Sequence, residues 1–514
     1  MPRLWAPLAW TGAAWERGVV LDIGRDGCWS SVQSGFAAPP LGATALDGPV
    51  LPGLVNAHSH AFQRAFAGLA ERWAAPKLGQ TPPGGGCGTS AAGGAVAAER
   101  RAAPKLGQTP PGGGCGTSAA GGAVAAERRA ATDDFWSWRD RMYQVALRIT
   151  PQALQAVAAQ LYIELLKGGY TQVCEFHYLH HQPDGSPYED PLALAWALAD
   201  AAQQAGLGLT LLPVLYQRAG FAQPTLREDQ RRFATTPAWV WQARETLQGS
   251  GRPLLNAGIA LHSLRAASHE GMQELLRKAS GMDGPIHIHV AEQTAEVDDC
   301  LAAHGARPIE WLGREFAPDA RWQLVHATHA QAAEIEAVAD AGAGVVLCPS
   351  TEGNLGDGFT DVPAWLAQGV PLSIGSDSHV TRAWPEELRW LEYGQRLLLR
   401  RRNVAAAPDE DEPATAARLF DRVLAGGGAA AGFARWGLRP GARADLLVRD
   451  ARDDALLGLP AARLLDALVF SSPSAAICDV YVAGRRVVHQ GRHARQEAVR
   501  AAFAEAMQAL HADS

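Results

Sequence analysis

Eight short apolar runs, separated by segments long enough to hold helices, constrain this 514-residue chain more than any other feature. They are Val50 to Ala57, Tyr170 to Phe176, Leu207 to Leu215, Ala257 to Leu261, Ile286 to Val290, Gln323 to His326, Gly344 to Cys348 and Leu372 to Gly375. Strands that alternate with helices enter a parallel sheet, and eight such units close into a (β/α)8 barrel more readily than they spread into a doubly wound sheet. No G-x-G-x-x-G follows the first run, so the dinucleotide-binding open sheet loses its main signature. Helix chemistry marks the breaks: Pro151 to Lys167 reads as a helix that stops at Gly168-Gly169, just ahead of the strand from Tyr170.

The two ends of the chain have a different texture. Leu4 to Trp10, Val19 to Ile23, Ala444 to Val448 and Asp479 to Val488 are short strands punctuated by Gly, Asp and Pro. The expected organisation is an α/β barrel over 50–430, with one small β-sandwich built from 1–49 and 431–514, the latter ending in a helix. Residues 74–101 and 102–129 are identical copies of AAPKLGQTPPGGGCGTSAAGGAVAAERR. Rich in Gly, Ala and Pro and without a periodic apolar face, they cannot offset their ordering entropy by burial, so a flexible insert is expected there. Two such copies do not make a solenoid, which needs an apolar supersecondary unit repeated at least three times.

Composition narrows the function classes. A chain 47% hydrophobic and 19% charged is an ordinary globular protein, and its net charge of -7 argues against a generally basic nucleic-acid surface. No run of 18 apolar residues exists to span a bilayer, and no signal-peptide pattern opens the chain, so a cytoplasmic location is expected. The seven cysteines are odd in number and lack a C-x-x-C pair, which argues against both a disulfide framework and a thiolate zinc site.

The chemistry-bearing residues sit at the ends of the apolar runs. His58 and His60 flank Ser59, and alternation along a strand points both imidazoles to one face, where they can close on one metal ion. Two histidines at this spacing also occur in ordinary half-buried strands; the later runs argue for the metal. Ile286 to Val290 carries His289 and is followed by Glu292, Gln323 to His326 ends in His326, and Leu372 to Gly375 leads to Asp377. In a parallel barrel the carboxyl ends of all strands converge on one face. His58, His60, His289 and Asp377 then form a three-imidazole, one-carboxylate set that suits Zn2+. The fourth run leads into Leu261-His262-Ser263-Leu264-Arg265 and has no lysine to bridge a second ion, so one metal per chain is expected. Glu292, three residues beyond His289, is the candidate proton shuttle, and His326 the candidate group for polarising a leaving group. Taken singly, Glu292 is equally a helix-start carboxylate and His326 a core histidine. His287 and His329 are assigned to core and loop.

The segments VNAHSHAFQR (55–64), HIHVAEQ (287–293), LVHATH (324–329) and IGSDSH (374–379) resemble the amidohydrolase superfamily, and within it the mononuclear deaminase branch. DDFWSWRDRMY (133–143), EFHYLHH (175–181) and LHSLRA (261–266) extend the likeness over nearly the whole chain apart from the insert. The resemblance implies hydrolysis of N-formimidoyl-L-glutamate to N-formyl-L-glutamate and ammonia, a step of histidine degradation, by a zinc-dependent homodimer. It implies metal ligation by His58, His60, His289 and Asp377, acid/base roles for Glu292 and His326, and substrate contacts from Gln63, Arg139, Tyr178, His262 and Arg265. Two arginines suit a substrate with two carboxylates, although Arg139 by itself also reads as a surface helix residue. The alternatives are another mononuclear zinc hydrolase acting on a heterocyclic or amidine substrate, and a catalytically silent barrel. Lengthening an exposed loop costs only about 0.6 kcal/mol per doubling. Deleting residues 74–129 is therefore expected to leave a soluble, zinc-loaded protein with equal or higher deiminase activity, which metal analysis and an ammonia assay of the deletion variant will test.

Overall fold

Each of the eight runs forms a strand in the computed structural model, which describes residues 2–12, 14–71, 135–472 and 477–512. The duplicated copies at 74–101 and 102–129, and the flexibility expected of them, lie outside the described residues. The strands are Leu54–Ser59, Tyr170–His177, Gly208–Leu215, Ile259–Ser263, Ile286–Val290, Trp322–His326, Gly344–Leu347 and Leu372–Ile374. They pair in chain order, every pair parallel. Tyr170–His177 and Gly208–Leu215 are buried along their whole length, as strands covered on both faces must be; the second reads as a nearly unbroken apolar run, whereas the first also buries Thr171, Gln172, Glu175 and His177.

The ring closes between its first and eighth strands through a parallel bridge from Ser59 to Asp377. Asp377 N–H donates to the His58 carbonyl at 3.0 Å, and His60 N–H donates to the Asp377 carbonyl at 3.3 Å. Behind this joint a Cβ built on Gly375 would stand 2.6 Å from His58 Cβ and 2.9 Å from its backbone N and O. The two strands can meet this closely only without a side chain at that position.

The first run is divided by the structure. Val50–Pro52 joins the sheet made from the chain ends, and Leu54–Ser59 alone enters the barrel. The break falls at Gly53, where a Cβ would meet the Thr171 side chain at 2.3 Å and whose carbonyl accepts the Trp436 indole N–H at 2.8 Å.

Strands from both chain ends form one further nine-stranded sheet. Val50–Pro52 is its seam, parallel to Arg3–Trp10 on one side and antiparallel to Leu446–Arg449 on the other. Period-two alternation gives this sheet two different faces. Val50, Leu446 and Val448 pack with Leu4, Val19, Leu21 and Trp29 in a small core of their own, whereas Leu51 and Leu447 face the main core under the barrel.

Helices on the outside start where capping chemistry is present. Thr150 accepts from Ala153 N–H ahead of Pro151–Lys167, and Thr236 accepts from Trp239 N–H ahead of Pro237–Gln248; each helix has Pro in its first turn. The last helix, Gln496–Leu510, is tied to the start of the barrel: Lys167 Nζ donates to Gln496 at 3.3 Å, and the Arg64 guanidinium lies 5.0 Å from the Phe503 ring centre. Gly375→Ala is expected to destabilise the fold by roughly 2–3 kcal/mol through overpacking at the closure, measured by denaturant unfolding.

Candidate metal centre and active site

Strand ends alone place the cluster. His58 and His60 leave the first strand on one face and His289 comes from the fifth, so three Nε2 atoms converge: His58 to His60 at 3.1 Å and His58 to His289 at 3.0 Å. Asp377, just past the eighth strand, brings Oδ1 to 3.4 Å from His60 Nε2 and 3.6 Å from His58 Nε2. Nitrogens bound to one zinc at about 2.0–2.1 Å stand about 3–3.4 Å apart, so the spacing fits a single shared ion. Burial, with the neighbouring imidazoles, holds His58 and His289 well below the usual histidine range, and burial lowers His60 against the pull of Asp377. Neutral rings are the form that ligates. The donor set, the spacing and the protonation state all suit a divalent cation of borderline softness.

Two ligands are oriented from behind. The His60 Nδ1–H donates to the Phe176 carbonyl at 3.0 Å, and the His289 Nδ1–H to the His262 carbonyl at 2.8 Å, which leaves each Nε2 lone pair turned inward. The loop at the eighth strand is tied to the first by a polar chain. Asn56 Nδ2 donates to Ser376 Oγ at 2.7 Å and its Oδ1 accepts Ser376 N–H at 2.8 Å; His379 bridges Ser376 Oγ at 3.0 Å and the His60 carbonyl at 3.1 Å. Glu175 on the second strand accepts from Ser59 Oγ at 2.7 Å and Ala61 N–H at 2.6 Å, while burial pushes its carboxyl up to about 8. The only sequence signal of these supporting residues is their adjacency to the ligand motifs.

One pocket collects the remaining candidates. His60, Gln63, Arg139, Tyr178, His262, Arg265, His289, Glu292, His326 and Asp377 all line it, with His58 beneath. Gln63 Nε2 donates to the Tyr178 hydroxyl at 3.3 Å. Arg139, on the helix Phe135–Ala146, is buried against Trp136 and Tyr143, its guanidinium carbon 4.4 Å and 5.5 Å from their ring centres. Arg265 lies 5.7 Å from the same Trp136 ring. Among the described residues, Arg139 Nε and Arg265 Nη1 are buried without an acceptor.

His326 Nε2 stands 3.7 Å from Glu292 Oε1 and 3.9 Å from Asp377 Oδ2. Burial pushes the Glu292 carboxyl up, whereas His326, which burial alone would lower, is raised by Glu292, by its hydrogen bond to Glu352 and by Asp377. Of the two, Glu292 is lifted to about 7, into the range where a carboxyl gains and loses a proton near neutral pH, whereas the raised His326 favours its protonated form. His287 lies in the core with Nε2 on the Ala430 carbonyl at 2.8 Å, and neither it nor His329 lines the pocket.

Comparison with known proteins gives a consistent frame. The sequence model of the Amidohydrolase family matches residues 50–487. Formimidoylglutamate deiminase of Pseudomonas aeruginosa is 42% identical over 512 residues, 99% of each chain. A crystal structure of an amidohydrolase from Brucella melitensis superposes with a TM-score of 0.82 at 37% identity, covering 99% of this chain and 100% of that one. An adenosine deaminase from Xanthomonas campestris with bound zinc shares the fold at TM-score 0.73 and 20% identity, covering 99% and 98%. If the cluster holds one ion, protein stripped with a chelator should gain stability as zinc is returned, about 2.7 kcal/mol at 100 times the dissociation constant. Calorimetry should follow that gain, elemental analysis should give one zinc per chain, and His289→Ala should show no saturable shift.

Proposed function

The chain belongs to the amidohydrolase family, and we propose that within it the protein is a zinc-dependent formimidoylglutamate deiminase, releasing N-formyl-L-glutamate and ammonia in histidine degradation. One observation carries the choice of substrate: two arginines, each with a buried N–H group that has no acceptor, face the pocket that also contains the histidine–aspartate cluster. A buried donor without an acceptor is costly, and although Arg139 Nη2 also lies 3.7 Å from Asp140, a substrate with two carboxylates supplies acceptors for Arg139 Nε and Arg265 Nη1. A heterocyclic substrate without carboxylates would leave these N–H groups without a charged acceptor.

His58, His60, His289 and Asp377 are the proposed ligands. A zinc ion held by them supplies the Lewis acidity that makes water a usable nucleophile near neutral pH. Arg265 and Arg139 grip the carboxylates, and Gln63, Tyr178 and His262 fix the rest of the chain, so that the formimidoyl carbon faces Glu292. As the water oxygen adds to that carbon, the Glu292 carboxylate takes its proton. It delivers that proton to the terminal nitrogen, then takes the remaining hydroxyl proton and passes it to the same nitrogen. The bond from carbon to that nitrogen breaks as the C=O forms, ammonia leaves with both protons of the water, and the inner C–N bond is kept as the formyl amide. A carboxyl whose ionisation is lifted by burial is suited to hold the proton between these two acts. His326 Nε2 faces the same space and polarises the departing nitrogen. Assembly as a homodimer in the cytoplasm belongs to the same proposal; among the described residues no helix is long and apolar enough to cross a membrane.

The test is ammonia release from formimidoylglutamate by the purified protein, with guanine and cytosine as competitors of heterocyclic type. Glu292→Gln should keep its zinc and lose roughly two to four orders of magnitude in kcat. Arg265→Met should lose roughly 2–3 kcal/mol in kcat/KM through substrate capture. An unchanged kcat/KM in the arginine variant would reject the dicarboxylate assignment.

A further inference from the structure

Glu352 belongs to none of the motifs that mark the site. It lies in the short helix Pro349–Leu355 after the seventh barrel strand, and its residue is only 5% exposed. Its Oε1 accepts two hydrogens, from Cys348 N–H at 2.9 Å and from His326 Nδ1 at 3.3 Å. The first bond caps the helix, since Cys348 precedes its first residue. A neutral amide oxygen would cap as well, and burying a carboxylate for that purpose alone is a poor exchange. The second bond is the one that responds to a negative charge.

His326 needs such a tether. It ends its strand with φ at +70°, and Ala327 follows at +46°, so the backbone turns there and no longer directs the ring as an extended strand would. The imidazole has two nitrogens on opposite sides. With Nδ1 held by Glu352, Nε2 is the nitrogen turned to Glu292 and Asp377, whatever the protonation state of the ring.

Building on the deiminase reading, we propose that Glu352 is the positioning residue of His326, holding Nδ1–H so that Nε2 faces the departing nitrogen of the substrate. The arrangement parallels a buried carboxylate that orients a histidine in acyl-transfer triads, here reached from a helix after the next strand. Glu352 does not line the substrate pocket and acts only through the ring.

A double-mutant cycle tests this, with Glu352→Ala, Glu352→Gln, His326→Gln and the two combinations. Glu352→Ala should lower kcat about 10–100-fold, with KM for formimidoylglutamate and zinc content unchanged. Glu352→Gln, which keeps an acceptor for both bonds, should recover part of the loss. In the His326→Gln background either substitution should cost nothing further. Additive losses, an unaltered kcat, or a loss confined to KM or to zinc content would each overturn the proposal. If Glu352→Ala does not fold, Glu352→Gln carries the cycle alone. A downfield imidazole N–H proton resonance, present in the wild type and absent in both His326→Gln and Glu352→Ala, reads the contact without turnover. Its survival in Glu352→Ala would reject the contact even if the deiminase assay succeeds. Failure of the wild type to release ammonia would instead reject the substrate reading and leave the resonance test standing.

Discussion

The joint between the first and last barrel strands is the constraint on which the site depends. Asp377 is at once the residue whose backbone closes the ring and the carboxylate nearest His58 and His60. Folding and assembly of the cluster are therefore one event, because the backbone bonds that complete the parallel ladder also set the distance between a carboxylate and two imidazoles. Gly375 is part of the same economy of space, since any side chain there would push His58 away from its partners. The Asn56–Ser376–His379 chain then locks what the backbone has brought together.

Strain collects around this joint. Ala291, His326, Asp377 and His379 all have φ between +44° and +70°, and each lies at or shortly beyond the end of a barrel strand. Non-glycine residues in the left-handed region cost roughly 1–2 kcal/mol each, and such positions persist only where surrounding bonds over-determine them. The supporting bonds are present: both ring nitrogens of His379 are engaged, and Asp377 uses both its backbone groups. The reward is directional. A strand end that turns sharply can aim its last side chain across the mouth of the barrel, where an extended residue would point along the axis or outward.

Much of this is legible in the sequence, because a strand's period of two and the convergence of barrel strand ends are simple geometric rules. They suffice to bring His58, His60, His289, Glu292, His326 and Asp377 to one place from runs as far apart as Val50 to Ala57 and Leu372 to Gly375. The division at Gly53 is not legible. An apolar run has no mark showing where it leaves one sheet and enters another, and the deciding contacts come from Thr171 and Trp436. Glu175 and Glu352 are hidden for a related reason: a lone carboxylate has no spacing to reveal its partner, which is supplied by tertiary structure. Arg139 illustrates the opposite case. Its helix reads as a surface element, but Trp136 and Tyr143 bury it at the pocket wall.

The seam at Val50–Pro52 carries a consequence for how a cell makes the protein. Leu51 pairs with Leu447, so the strand leading to His58 and His60 is anchored by residues that leave the ribosome about 400 positions later. At about 5–20 residues per second, roughly 20–80 s of translation separate the two partners. During that interval the N-terminal strands can pair with one another but lack the Leu446–Arg449 edge, and the segment leading to the first two imidazoles is held on one side only. The cluster of His58, His60, His289 and Asp377 is therefore complete and held from both sides only once the Leu446–Arg449 strand has been made, so its assembly belongs to the last part of synthesis or after it.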